Sequence, residues 1–157
     1  MKEEFIWPAL NSVFPRRWEE FWPGSAACAV SEDVGVILTY PNDRFIVAAI
    51  VLTDLQISTE LLEAITEVNV GLPIGCVFLS SVEGGWCAIW KCKVLTDWLD
   101  PGSKVSRQMA LDILANAPNM TRMARRTLQA KECGGKAFTV EPDAELASWA
   151  FATMSHV

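Results

Sequence analysis

Residues 44–52 limit the possible folds of this chain more than any other stretch. The last eight of them, FIVAAIVL, are apolar at every position. A strand with one face in water alternates apolar and polar residues, so a continuous apolar run predicts a strand covered on both faces. Either helices must lie on both sides of the sheet, or a second subunit must cover one side.

Four further segments have strand character, at residues 26–30, 34–40, 74–80 and 86–95. Turn-forming clusters at residues 31–33 and 41–43 separate the first three strands, which predicts hairpins. The segment 86–95 alternates clearly, and one face of it carries Trp86, Ala88, Trp90, Cys92 and Val94. The other face carries Cys87, Ile89, Lys91, Lys93 and Leu95. Its lysines are typical of a solvated or edge surface.

Helical periodicity appears in four places. Residues 58–72 carry an apolar stripe at helical spacing, with Ser58 as N-cap and Pro73 after the end. Phe14, Trp18, Phe21 and Trp22 share the same spacing and predict an aromatic helix from Pro15. A long helix is predicted from about residue 103 to the glycines at 134–135, kinked or restarted at Pro118. Residues 142–156 predict a final helix.

Together these segments predict an α+β fold. We expect an antiparallel sheet of about five strands with helices packed on it, in the order α-βββ-α-ββ-α plus a C-terminal helix. A chain of 157 residues is most simply one domain. Within the domain, residues 1–24 form the aromatic helical segment, residues 25–135 the core and residues 136–157 the tail helix.

Composition narrows the classes of partner. A formal net charge of -6 argues against nucleic acid, because phosphates select basic surfaces. No apolar run reaches the roughly 20 residues that a membrane helix needs, so no membrane partner is expected. The polar start MKEE is not followed by an apolar signal segment, and the five cysteines are irregularly spaced. We therefore expect a cytoplasmic protein with reduced thiols.

Residues that support catalysis or metal binding are scarce. The single histidine is His156, next to the C-terminus, so we expect no catalytic residue, no metal site and no cofactor. Cys76 and Cys92 approach each other across the predicted hairpin, but two thiols alone make a weak metal site. Arg122, Arg125 and Arg126 form a basic group on the long helix. Such a group is more often a solvated face than an anion site.

The end of the second predicted helix carries a recognisable pattern. Asn69, Leu72, Pro73 and Gly75 form an Asn-x-x-Leu-Pro-x-Gly junction that resembles that of bacterial YbjN-like proteins, which share the fold of type III secretion chaperones. The hairpin followed by a long helix is similar to the peptide-binding-chaperone branch of that group, found mainly in actinobacteria. The resemblance covers residues 26–135 and implies a small cytosolic protein, often dimeric, that binds a peptide segment of a client.

We therefore expect a non-catalytic module that binds a protein or peptide client and forms a homodimer through its two-sided apolar sheet. Candidate partner-binding residues on the sheet are Trp86, Trp90, Ile46, Ala48 and Ile50. Core packing is the competing role for both tryptophans. Two other functions stay open. One is a thiol- or metal-dependent enzyme that uses Cys76, Cys87, Cys92 and Cys133, and the other is an inert subunit of a larger assembly.

Overall fold

The computed structural model describes residues 2–40, 44–82 and 85–140. Over these residues the chain has the predicted α+β class, with a seven-stranded antiparallel sheet and three α-helices. The strands are β1 (Trp18–Trp22), β2 (Ser25–Ser31), β3 (Val34–Thr39), β4 (Arg44–Leu55), β5 (Cys76–Val82), β6 (Gly85–Leu95) and β7 (Gly134–Ala137). The helices are α1 (Ile6–Ser12), α2 (Thr59–Gly71) and α3 (Lys104–Ala130), with 3-10 helices at Lys2–Phe5 and Thr96–Leu99.

The strand β4 lies at the centre of the sheet, whose order is β1-β2-β3-β4-β6-β5. It pairs with β3 on one side and with β6 on the other, and β7 pairs with its last residues. Side chains on both of its faces are buried, from Phe45 and Val47 on one face to Ala48 and Ile50 on the other. The prediction of a strand covered on both faces is confirmed.

The helices lie on one face of the sheet, here called the helix face. α3 contacts β3, β4 and β6, and α2 lies between α3 and β5. The main core fills this layer and contains Phe45, Val47 and Val51 of β4 together with Trp90 of β6. The predicted alternation of β6 is confirmed here, because Ala88, Trp90 and Val94 all point into the main core.

The opposite face of the sheet, here called the second face, is buried over part of its area. Ala27 and Ile37 form one small apolar cluster, and Ala48, Ile50, Cys87 and Ile89 form another. Phe138 packs against both clusters. The prediction of a solvated or edge surface on β6 is therefore wrong for Cys87 and Ile89, since β6 lies between β4 and β5.

The predicted aromatic helix from Pro15 is wrong. Residues Trp18–Trp22 form β1, which pairs with β2 through Trp18 and Cys28, and the first α-helix comes earlier, at Ile6–Ser12. Trp18 is buried, and its Nε1 donates to the Val13 carbonyl at 2.7 Å. So short an aromatic run fits a strand and a helix about equally well, and pairing with the apolar β2 decides between them.

The helix α3 continues through Pro118 as one element, so of the two predicted alternatives the restart is wrong, and the kink stays a prediction. Pro118 is buried with Ala117 and Thr121 against the sheet, and this packing holds the helix together across the missing N–H. The helix ends at Ala130, and the glycines expected to cap it begin β7 instead. The predicted tail helix at residues 142–156 lies outside the described residues.

The Asn-x-x-Leu-Pro-x-Gly pattern builds the connection from α2 to β5. The Asn69 side chain makes two hydrogen bonds to Val77: its Nδ2 donates to the Val77 carbonyl at 3.0 Å, and its Oδ1 accepts from the Val77 N–H at 2.7 Å. Gly75 has φ +71°, in the left-handed region, and packs against the Trp90 indole. Trp90 Nε1 in turn donates to the Ile74 carbonyl at 2.9 Å. The pattern therefore has a structural role.

We predict that Gly75→Ala destabilises the protein by at least about 3 kcal/mol. A Cβ at this position would lie 2.6 Å from Trp90 Nε1 and 2.9 Å from the Lys91 carbonyl, in addition to the strain of a positive φ. Urea denaturation measures the loss.

Gly24→Ala is the matched control. Gly24 has φ +80°, but a Cβ added there would meet no atom within 4 Å, so backbone strain alone should cost about 1–2 kcal/mol. Equal losses in the two variants would contradict the close packing of Gly75 on Trp90.

Candidate functional site

The five predicted partner-binding residues lie on opposite faces of the sheet. Trp86 and Trp90 point to the helix face, where Trp86 is half-buried against the main core and Trp90 is fully buried. Ile46, Ala48 and Ile50 point to the second face, because β4 alternates. The structure therefore does not bring the five residues together.

Burial limits what most of these residues can contact. Trp90 has no exposed surface, and its indole N–H donates to the Ile74 carbonyl. Trp90 is therefore a core residue, which was the predicted alternative to partner binding. Ala48 and Ile50 are buried in the second-face cluster with Cys87 and Ile89. Ile46 is half-buried and is the predicted residue that borders an open part of the second face.

That open part lies over β4, β6 and β5 and includes Ile46, Phe78, Lys91, Lys93 and Leu95, which are here called the open sheet surface. Phe78 is 47% exposed and Leu95 is 44% exposed, which is high for large apolar side chains on a sheet. Lys93 pairs in register with Ile46, and Phe78 pairs with Ile89. The surface therefore combines apolar area with two positive charges.

The charge of the open sheet surface differs from that of the whole chain. The strand residues that alternation directs to this side within 44–50, 76–80 and 87–95 include no carboxylate. The nearby Asp54 carboxylate, whose charge adds to the burial that raises the pKa of Cys87, is paired with Lys136 at 3.7 Å. The Lys91 ammonium lies 4.7 Å from the centroid of the Phe78 ring. Because of this cation–π contact, the positive charge of a β6 side chain lies over a residue of β5. A chain with a net charge of -6 thus presents a local cationic and apolar area.

β5 is an edge strand of the sheet, and Asn69 shows which of its backbone groups point outwards. In an antiparallel pair, successive residues direct their N–H and C=O alternately to the partner strand and away from it. Because Asn69 binds both groups of Val77, the groups of Leu79 and Ser81 also point away from β6. No hydrogen bond from another described residue reaches these outward groups of Leu79 and Ser81.

The side chains of β5 do not protect its edge. Natural edge strands discourage pairing with other chains by carrying charged residues or proline, yet the sequence of β5 is CVFLSSV. Lys91 belongs to β6 and lies over the Phe78 ring on one face of the sheet, so it does not block the edge itself. An extended chain can therefore pair with β5 beyond Val77.

All five cysteines are free thiols. Where the pKa of a cysteine is shifted, burial is the main cause of the shift. Burial raises the pKa of Cys28 to about 12 and that of Cys87 to about 11, and it also raises the pKa of Cys92 and Cys133. A thiol with a raised pKa is protonated at neutral pH and is a poor nucleophile and metal ligand. Within the described ranges no three His, Cys, Asp or Glu residues are grouped to hold a metal ion.

The prediction that the basic residues of α3 form a solvated face is wrong for Arg125, which is buried. β3 pairs with β4 as far as Val36 and Ala49, and β7 pairs with β4 from Leu52. Between these pairings the Arg125 guanidinium donates to the carbonyls of Val51 and Ile50, at 2.8 and 3.3 Å. Arg125 thus satisfies backbone acceptors at the gap between two strands, a role that tertiary structure alone reveals.

Asp33, in the turn between β2 and β3, joins this turn to α3. Arg122 donates from Nε and Nη2 to the two carboxylate oxygens of Asp33 at 3.1 and 3.2 Å, and Ser31 Oγ donates to the same carboxylate at 2.6 Å. Arg125 Nη2 donates to the Asp33 carbonyl at 2.9 Å. The Arg122 hydrogen bond, followed by that from Ser31, holds the pKa of Asp33 well below its usual range.

Sequence reasoning missed Phe78 and the edge of β5. It identified the face of β6 that carries Lys91, Lys93 and Leu95, but it did not assign that face to a binding surface. The alternation of Phe78 with Val77 and Leu79 gives the face of Phe78, and the register of the hairpin then places Phe78 beside Lys91. The outward direction of the Leu79 and Ser81 backbone depends on the Asn69 bonds, which no sequence pattern shows.

No helix in the described residues is long and apolar enough to cross a membrane. A scan against protein-family models gives no match, and no curated protein matches the chain.

We predict that Asp33 contributes stability that disappears in acid. Its pKa is lowered in the folded state, so the contribution is present above the unfolded value of about 4 and is lost as the pH falls below it. The carboxylate is 46% exposed, and solvent screening limits the contribution to about 1 kcal/mol.

Urea denaturation of the wild type and of Asp33→Asn between pH 7 and pH 2 measures this contribution. The wild type should be the more stable protein at neutral pH, and the difference should shrink below about pH 4. A difference that stays constant over this range would contradict the pairing with Arg122.

Proposed function

We propose that this protein binds an extended acidic peptide, which pairs with the edge of β5 and places side chains beside Phe78 and Lys91 of the open sheet surface, and that it catalyses no reaction. The observation that carries the proposal is an uncharged edge strand whose outward backbone groups at Leu79 and Ser81 lie beside exposed Phe78. Strand addition to a sheet edge is a common way to bind peptides.

The backbone supplies affinity that does not depend on the peptide sequence. A peptide paired with Leu79 and Ser81 would satisfy the N–H and C=O groups that these residues direct away from β6. Asn69 already occupies the equivalent groups of Val77, which limits the pairing to the part of β5 beyond it. The site is therefore short, and side-chain contacts must add specificity.

Phe78 and Lys91 of the open sheet surface supply those side-chain contacts. An added strand lies about 4.8 Å from β5, so its side chains on the second face stand next to Phe78. The Lys91 ammonium, held over the Phe78 ring at 4.7 Å, meets an acidic side chain at that position. The methylene groups of the same acidic side chain cover the Phe78 ring, which is 47% exposed in the free chain.

Three further points support a binding role. The resemblance of the Asn69–Gly75 junction implies membership of the YbjN-like, type III secretion chaperone-like group and of its peptide-binding branch, and we propose the same class of function. The net charge of -6 disfavours nucleic acid as the partner. Burial raises the pKa of the Cys28 and Cys87 thiols and keeps them protonated at neutral pH, so neither of these two is a reactive thiolate.

The edge can be tested by comparing Ser81→Pro with Ser81→Ala. Proline removes an N–H that points away from β6, so no bond within the sheet is lost, whereas alanine keeps this donor. With a fluorescent peptide that alternates Glu and Val as the probe, fluorescence anisotropy should show that the proline variant binds at least about tenfold more weakly.

The alanine variant should bind the probe like the wild type, and urea denaturation should show that both variants stay folded. Equal affinity of the two variants for the Glu/Val peptide would contradict strand addition at β5. A second copy of the chain on this edge is the competing occupant. Sedimentation that shows a dimer in the wild type and a monomer in Ser81→Pro would assign the edge to dimerisation and contradict the peptide proposal.

The charge preference can be tested with Lys91→Glu. This variant should lose affinity for the Glu/Val peptide and gain affinity for a peptide that alternates Lys and Val, because the charge over Phe78 is reversed. Lys104→Glu, at the start of α3 on the helix face, makes the same charge change elsewhere and should bind like the wild type. Equal effects of the two substitutions would attribute binding to net charge and contradict a local site.

A further inference from the structure

A cleft lies beside α3, on the side of the molecule away from the open sheet surface. It has a volume of about 560 Å³ and is lined by Asp33, Met120, Met123 and three arginines, Arg122, Arg125 and Arg126, here called the arginine cleft. This volume lies within the range of small-molecule sites, which is roughly 300–1,000 Å³. Met123 is half-buried and adds a polarisable apolar wall.

The balance of charge in the arginine cleft is positive. Three arginines face one carboxylate, that of Asp33, whereas the whole chain has a net charge of -6. Glu32 is exposed in the same turn as Asp33 but does not line the cleft. An anion that enters the cleft therefore meets a local surplus of positive charge.

The arginines keep donors that no described residue uses. Arg122 binds Asp33 and Ser31 through Nε and Nη2, which leaves its Nη1 without a described partner. Arg126 is exposed, and its guanidinium makes no hydrogen bond or ion pair to a described residue. Arg125 is held by backbone carbonyls, and its side chain is only 7% exposed, so one wall of the cleft is fixed.

We infer that the arginine cleft binds a small organic anion, with a carboxylate or phosphate group on Arg122 and Arg126 and an apolar body against Met123. A planar guanidinium suits both oxyanions, because it donates in a fixed fork. The Asp33 carboxylate orients Arg122 by two hydrogen bonds, and the unused Nη1 remains for the ligand. The site is separate from the peptide site on β5 and does not depend on it.

Methyl NMR of the full chain tests this inference. The sequence has five methionines, so ¹³C-methyl labelling gives few signals, and those of Met120 and Met123 report on the cleft. Benzoate and phenyl phosphate are the probes for the two oxyanions. One or both should shift the Met123 signal saturably, whereas the signal of Met109, which lies outside the lining, should stay in place.

Arg126→Gln should weaken binding of the probe by at least about tenfold, because it removes a charged donor without breaking a bond in the described structure. Arg107→Gln is the matched control: it removes the same charge about 28 Å earlier along α3 and should leave binding unchanged. Equal weakening in both variants would overturn the local site.

Two further ligands separate the roles of charge and apolar area. Benzyl alcohol has the apolar body without the charge, and inorganic phosphate has the charge without the body. If either binds as tightly as the aromatic anions, or if no probe shifts Met123, the inference is overturned. The peptide-binding variant Ser81→Pro should bind the aromatic anions normally, so failure of this site and failure of the peptide proposal are distinguishable.

Discussion

The burial of β4 on both faces is the constraint on which the rest of the structure depends. Phe45, Val47 and Val51 enter the core beneath the helices, while Ala48 and Ile50 enter the smaller cluster on the second face. The backbone N–H and C=O groups of β4 also need hydrogen-bond partners, and β3, β6 and β7 provide most of them. At Ile50 and Val51, between the pairings with β3 and β7, Arg125 supplies the donors, so a buried charge completes the central strand.

The two faces of the sheet differ in a way that bears on function. The helix face is closed by α3 and α2, and it fixes β5 through the Asn69 bonds to Val77. The second face is closed around Ile50 and Ile89 but open around Phe78 and Leu95. The same bonds that hold α2 against β5 thus determine which backbone groups remain available at the edge, so the proposed binding mode follows from how the fold is held together.

Patterns with a fixed period were predictable from the sequence, and positions set by distant contacts were not. The apolar run at residues 44–52 predicted a strand covered on both faces, and the alternation of β6 placed Trp90 on the same face as Ala88 and Val94, since both depend on local period. The aromatic residues of β1 were assigned to a helix, because pairing with β2 decides their conformation. The burial of Arg125 and the continuity of α3 at Pro118 depend on packing between segments far apart in the chain.

Residue-resolved amide hydrogen exchange tests the availability of the β5 edge most directly. In the free protein the amides of Leu79 and Ser81 should exchange much faster than those of Phe78, which is bonded to β6, and Val77, which is bonded to Asn69. Addition of the alternating Glu/Val peptide should slow Leu79 and Ser81 and leave Val77 unchanged. Strong protection of Leu79 and Ser81 in the free chain, or peptide binding without a change in their exchange, would contradict this account.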